Sequence, residues 1–146
     1  MRLRFFGWLV LILLAVLPAI FSARAQQAEL TGRWYGESYQ GRGYQHWLAE
    51  MHADGVFSVE FRQYSECKVT HRSLEAGRWL VRDGYFITTI TMIDGQRVNT
   101  PRQYRLLDVA SDQIVYQHFP SGIIFRSRRA ASDFDWPDCD PAKLLS

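Results

Sequence analysis

Residues 47–61 have the sequence WLAEMHADGVFSVEF, in which two alternating segments flank Asp54-Gly55. If residues 53–55 form the loop and Gly55 takes a left-handed conformation, one face of the hairpin is wholly apolar. That face holds Trp47, Ala49, Met51, Phe57, Val59 and Phe61. The other face, which we expect to be exposed, holds His46, Glu50, His52, Ser58, Glu60 and Arg62. A two-residue loop would mix the two faces, so the pattern itself selects the register.

The same alternation continues on both sides of this hairpin and predicts eight strands. They cover residues 30–40, 44–51, 56–63, 73–81, 85–93, 97–109, 113–119 and 123–129. Turn residues such as Asp83-Gly84 and Asp94-Gly95 separate them, and no long window shows helical spacing. We therefore predict an all-β fold, an eight-stranded antiparallel up-and-down meander with an irregular C-terminal tail. Closure into a small barrel is favoured over a sandwich because it leaves no exposed edge.

The hairpin around Asp83-Gly84 is predicted to have a two-residue turn. Its inward face would then hold Trp79, Val81, Phe86, Ile90 and Met92. A three-residue loop is the alternative, and it would instead turn Tyr85 and Ile87 inward.

Residues 1–25 match a cleaved signal peptide. Arg2 and Arg4 precede an apolar run, and Ala23-Arg24-Ala25 is typical of a cleavage site. We expect residues 26–146 to form a single periplasmic or secreted domain with no stable membrane insertion. It is not expected to be a lipoprotein, since no cysteine lies near the cut. An uncleaved membrane anchor is the alternative, because the apolar run approaches the shortest length that spans a bilayer.

The charge of the mature chain argues against nucleic-acid binding. Removing residues 1–25 lowers Lys+Arg from 17 to 14 against 15 Asp+Glu, which gives a net charge of −1. Such a chain has no general field that would attract nucleic acid.

Cys67 and Cys139 are the only two cysteines. In an exported protein such a pair predicts a disulfide. The bond would tether the tail, residues 130–146, to a connection between strands. Catalytic thiol chemistry is the alternative, but the chain has no C-x-x-C spacing.

The segment Leu30-Thr31-Gly32-Arg33-Trp34-Tyr35 resembles the G-x-W signature that opens the first strand of lipocalins and other calycins. The chain is similar to short bacterial lipocalin-like domains. This resemblance implies that Trp34 plugs the closed end of a barrel and that a basic residue of the last strand, Arg126 or Arg128, packs over it.

We find no catalytic motif and expect no enzymatic activity, metal or cofactor. His46, His52, His71 and His118 are scattered, which favours surface or hydrogen-bonded roles over a metal site. The aspartates of the tail, Asp133, Asp135, Asp138 and Asp140, lack the pattern of a calcium loop and are expected to be solvated.

Aromatic residues supply the candidate lining of a ligand pocket: Trp47, Trp79, Tyr104 and Tyr116. The leading hypothesis is a lipocalin-like barrel that binds a small hydrophobic or amphipathic ligand in its mouth. The alternative is a filled barrel that acts as a protein-interaction module of the envelope, an inhibitor or an assembly accessory. The presence or absence of an internal cavity separates the two.

Overall fold

The computed structural model describes residues 25–40 and 43–138 of the chain. Within them, eight strands follow one another, preceded by one short helical turn at residues 25–30. The strands are β1 (Gly32–Gln40), β2 (Gly43–Met51), β3 (Val56–Ser65), β4 (Lys68–Arg82), β5 (Tyr85–Ile93), β6 (Gln96–Val109), β7 (Gln113–Phe119) and β8 (Ile124–Arg129). All eight predicted strands are confirmed.

Each strand pairs antiparallel with the next, and β8 pairs with β1, so the sheet is a closed barrel. This confirms the predicted meander, and the fold is compatible with that of a lipocalin. The closing contact is short, with Trp34, Tyr35 and Gly36 lying opposite Arg129, Arg128 and Ser127.

The hairpin of β2 and β3 has the predicted register. Met51 lies opposite Phe57, Ala49 opposite Val59 and Trp47 opposite Phe61. Gly55 has a φ of 82°, as the three-residue loop requires. The alternation of period two therefore decided this register correctly.

The two-residue turn at Asp83 and Gly84 is also confirmed, but the predicted inward position of Met92 is wrong. The pairing of β4 with β5 shifts between Ala76 and Gly77, so that Ile90 lies opposite Gly77 while Met92 lies opposite Ala76. This bulge reverses the faces beyond Ile90, and Met92 is 41% exposed on the outside.

Strands β3 and β4 are longer than predicted. They join through a tight turn at Glu66 and Cys67, whose φ angles are 49° and 59°. Non-glycine residues seldom take this conformation, so the sequence carried no turn signal there. Residues 64, 65 and 68–72 therefore belong to strands rather than to a connection.

Trp34 closes the end of the barrel where the chain enters. It is 1% exposed, and its Nε1 donates a hydrogen bond to the Leu30 carbonyl at 2.8 Å. The guanidinium carbon of Arg129 lies 4.0 Å from the centre of the Trp34 ring. Gly32 suits this position because its φ is 119°, a conformation that side chains with a Cβ rarely adopt, and a Cβ there would also lie 2.5 Å from Arg129 Nη1.

The basic residue over Trp34 is thus Arg129, and the prediction of Arg126 or Arg128 is wrong. The closing register places Trp34 opposite Arg129, so alternate residues of β8, Ser127 and Arg129, face inward. Arg126 and Arg128 face outward. The guanidinium carbon of Arg128 lies 4.9 Å from the centre of the Tyr35 ring on the outside of the barrel.

The outer face of β2 and β3 is only partly the exposed surface that we predicted. Glu50 and His52 are exposed, but Ser58, Glu60 and Arg62 are half-buried and His46 is buried. His46 is 0% exposed, because the irregular tail at residues 130–138 packs against this wall through Phe134 and Trp136. Trp136 is also covered by Arg62, whose guanidinium carbon is 3.9 Å from the ring centre. Of the four aspartates expected to be solvated, Asp133, Asp135 and Asp138 are exposed, and Asp140 lies outside the described residues.

Two predictions reach beyond the described residues. The signal peptide lies almost wholly outside them, in residues 1–24, and so does Cys139. Cys67 carries no free thiol. The pairing of Cys67 with Cys139 stays a prediction.

The disulfide can be tested by alkylating the unfolded mature protein without reductant. We expect the intact mass to show no alkylated cysteine, because Cys67 and Cys139 would be joined. After reduction, the same protein should take up two alkyl groups. Two alkylated thiols before reduction would contradict the pairing.

Arg129→Ala should lower the free energy of unfolding by about 1 to 2 kcal/mol, because it removes a cation–π contact and charged hydrogen bonds. Its guanidinium donates to the carbonyls of Ser111, Thr31 and Glu29. Urea unfolding of this variant should be compared with Arg126→Ala, which truncates an exposed, outward side chain. Equal losses in the two variants would contradict the assigned role of Arg129.

Candidate functional site

A cavity of about 450 Å³ lies inside the barrel. The barrel is therefore not filled by its own side chains. Strands β2 to β8 supply the lining, through residues that alternate along each strand. The lining residues are Gln45, Trp47, Ala49, Met51, Phe57, Val59, Phe61, Gln63, His71, Ser73, Glu75, Phe86, Thr88, Ile90, Arg102, Tyr104, Tyr116 and Phe125.

The cavity opens at the end of the barrel opposite Trp34. Gln63 and His71 lie opposite each other near the Glu66–Cys67 turn, and both are exposed. The other end is apolar and closed, where Met51, Phe57 and Ile90 are buried. The cavity thus runs from a polar mouth to an apolar floor.

Aromatic rings form one side of the cavity. Tyr116 stacks on Phe125 with 5.6 Å between ring centres, and Tyr104 stacks on Phe86 at the same distance. Tyr104 and Tyr116 meet edge to face at 5.4 Å. Trp47 joins this group through an edge contact with Phe125. The result is a continuous aromatic wall that offers flat faces to a bound molecule.

The polar atoms of this wall are held in place by Ser127. Trp47 Nε1 donates to Ser127 Oγ at 3.1 Å, and the Tyr116 hydroxyl lies 3.3 Å from the same oxygen. Burial raises the pKa of Tyr116 well above its ordinary value, and burial also raises the pKa of Tyr104 despite the nearby charge of Arg102. Both phenols therefore stay protonated to a higher pH than an exposed tyrosine would.

An ion pair lies along the cavity wall above the apolar floor. Arg102 Nη1 and Nη2 donate to Glu75 Oε2 and Oε1 at 2.9 and 3.0 Å. Glu75 is 8% exposed, whereas the side chain of Arg102 is 32% exposed. Burial lowers the pKa of Arg102, but the charge and hydrogen bonds of Glu75 outweigh this and raise it overall. Arg102 is therefore a permanent cation beside a buried carboxylate.

Three of the four predicted lining residues, Trp47, Tyr104 and Tyr116, do line the cavity. The fourth, Trp79, is buried at the closed end instead. Its Nε1 lies 3.0 Å from each of the carbonyl oxygens of His52 and Val56, so it braces the turn between β2 and β3. Ala49 also lines the cavity, whereas the space beside Gly36 is taken by the Trp47 ring.

Sequence analysis missed the polar residues of the cavity, above all Glu75 and Arg102. A signal was present, because Glu75 shares its side of β4 with Trp79 and Val81. Likewise, Arg102 lies two residues before Tyr104, which was predicted to point inward. A charged residue at an inward position of a barrel strand was the feature to look for.

A second, smaller void of about 40 Å³ lies between the main cavity and the Trp34 end. It shares lining residues with the main cavity, including Ala49 and Met51, and it is bounded below by Leu30 and Trp34. The closed end is therefore packed but not completely filled.

The histidines are dispersed over separate environments. His46 lies outside the barrel, where its Nδ1 is 2.6 Å from the Tyr35 hydroxyl. His52 is exposed, His71 lies at the cavity mouth, and His118 Nδ1 is 2.7 Å from Ser121 Oγ. Across residues 25–40 and 43–138 there is no cluster of metal-ligating side chains.

Comparison of the sequence with models of known protein families gives no match, and comparison with curated proteins gives none either. Within the described part of the chain, no helix has the length and apolar character needed to cross a bilayer.

Burial of neutral Tyr116 should make the protein lose stability in alkali. Its pKa is raised in the folded state, so the unfolded state releases this proton first once the pH exceeds the ordinary value of 10.0. The stabilisation is thus complete below that pH and declines above it. Urea unfolding across this range should show wild type losing more stability than Tyr116→Phe, which cannot ionise. Parallel profiles for the two proteins would contradict this.

Proposed function

We propose that the barrel binds a small amphipathic molecule in its cavity and serves as a carrier. The observation that supports this proposal is the cavity of about 450 Å³, which has a polar mouth, an aromatic wall and an apolar floor. Its volume falls within the range of about 300 to 1,000 Å³ typical of small-molecule sites. Most of its lining is apolar, with a few polar groups that would orient a ligand.

The alternative, an interaction module built on a filled barrel, is less well supported. A scaffold gains stability from a packed interior, because side chains in contact with one another add dispersion attraction. An open cavity gives up the stabilisation from this packing, which is expected only where a molecule enters the space. The G-x-W segment at Gly32 and Trp34, with its lipocalin resemblance, favours the same choice by analogy.

We place this carrier in the periplasm or the medium, because residues 1–25 match a signal peptide. We further propose that it acts by binding rather than by catalysis. Its partner would then be the ligand itself, and it would need no cofactor.

Filling the cavity should abolish binding. Ser73 lines the cavity, while its neighbour Leu74 is 54% exposed on the outside of the same strand. Ser73→Trp should place an indole in the cavity, whereas Leu74→Trp adds the same ring to the outer surface. We expect the first variant to lose at least tenfold in affinity for the neutral dye Nile red, and the second to bind it like wild type. Fluorescence titration measures both.

Two results would contradict the proposal. The first is that the Ser73→Trp variant binds Nile red as tightly as wild type and also has the melting temperature of wild type. The other is the absence of any co-purifying small molecule and of any dye binding in wild type. Native mass spectrometry of the protein purified from its own host shows whether a small molecule co-purifies with it.

A further inference from the structure

The ion pair between Glu75 and Arg102 needs an explanation that stability does not supply. Removing charge from water is costly, above all for the nearly buried Glu75, and buried ion pairs can often be replaced by apolar residues without loss of stability. The inner wall of this barrel is otherwise rich in apolar residues, so such a replacement would fit locally. The pair also borders the cavity. Strand β5, which lies between the strands of Glu75 and Arg102, adds Thr88 and Ile90 to the same part of the cavity lining. This position indicates a role in recognising what enters.

The two charges cancel within the cavity. Glu75 and Arg102 are the charged side chains among the described lining residues, apart from His71 at the exposed mouth. A ligand carrying a net charge would be attracted to one member and repelled by the other. It would also bring an uncompensated charge into a poorly solvated site. Both effects penalise ionic head groups.

A neutral polar group on the ligand avoids both of these penalties and can hydrogen-bond to the pair. A guanidinium has more N–H donors than the two that Glu75 occupies, and a carboxylate has more lone pairs than the two that Arg102 uses. A group that both donates and accepts, such as a primary amide, can therefore bind both members without separating them. Hydrogen bonds to charged partners are stronger than those between neutral groups.

The aromatic wall restricts the rest of the ligand. Tyr104 lies beside the pair and belongs to the stacked rings that include Phe86 and Tyr116. A flat ring would bury its faces against them while its polar edge reached Arg102 and Glu75. Resting on the proposed carrier function, we propose that the ligand is an uncharged planar molecule whose edge donates to Glu75 and accepts from Arg102.

Three probes with one ring system and different head groups test this proposal. They are naphthalene carboxamide, naphthalene carboxylate and naphthylmethylammonium, with affinities measured by calorimetry at neutral pH. We expect wild type to bind the carboxamide at least tenfold more tightly than either ion. Equal affinities, or tighter binding of an ion, would overturn the proposal.

Two variants then switch the preference. Glu75→Gln leaves the charge of Arg102 uncompensated, so the ratio of carboxylate to carboxamide affinity should rise at least tenfold. Arg102→Gln leaves the charge of Glu75 uncompensated, so the ratio of ammonium to carboxamide affinity should rise at least tenfold. This variant replaces Glu75→Gln if Glu75→Gln fails to fold. Glu60→Gln makes the same change on the outer wall, where Glu60 pairs with Arg62, and should leave the order unchanged.

The outcomes separate the two proposals. If Nile red binds wild type but the head groups make no difference, the carrier function stands and the ligand assignment is overturned. If Glu75→Gln and Arg102→Gln leave the relative affinities of the three naphthalene probes unchanged, the ligand assignment is also overturned. If neither Nile red nor any probe binds, both proposals fail.

Discussion

The short pairing of β1 with β8 is the constraint on which the rest of the barrel depends. Only three residue pairs close the sheet there, yet they bring Arg129 beside Trp34 and Ser127 beside Gly36. Because Arg129 lies opposite Trp34, its guanidinium covers the plug and ties the N-terminal turn to the loop between β6 and β7. The same register places Ser127 beside Gly36, where its Oγ accepts the hydrogen bond of Trp47 Nε1 and holds one wall of the cavity. A slip of one residue would remove both arrangements at once.

The cavity above this closed end combines features that a filled core would avoid. Its floor and aromatic wall are the apolar surfaces expected inside a barrel, but Glu75 and Arg102 bring opposite charges into that setting. Their bidentate contact satisfies each charge without the help of a ligand, so the site is preorganised before anything binds. Preorganisation of this kind favours selectivity, since a ligand must match a fixed set of donors and acceptors.

The sequence was sufficient where one local rule governed the outcome. Alternation of period two fixed the hairpin of β2 and β3, and Asp-Gly pairs marked the turns correctly. It failed where distant segments or irregular backbone intervened. The bulge in β5 moved Met92 outside, the turn at Glu66 and Cys67 lacks glycine, and the burial of His46 depends on a tail about ninety residues further along the chain. Arg129 was missed because the closing register of β8 is set by the partner strand and not by β8 itself.

Packing of the tail against β1 to β3 makes the wall of the barrel uneven in thickness. There the strands are covered on both faces, by the cavity lining inside and by Phe134 and Trp136 outside. Among residues 25–40 and 43–138, nothing packs on the outside of β4 to β6, which have exposed apolar residues such as Leu74 and Leu107 and irregular pairing. Resistance to bending is therefore concentrated on one half of the circumference. The thinner half also carries Glu75 and Arg102, so the charged part of the cavity lining belongs to the wall that is less reinforced.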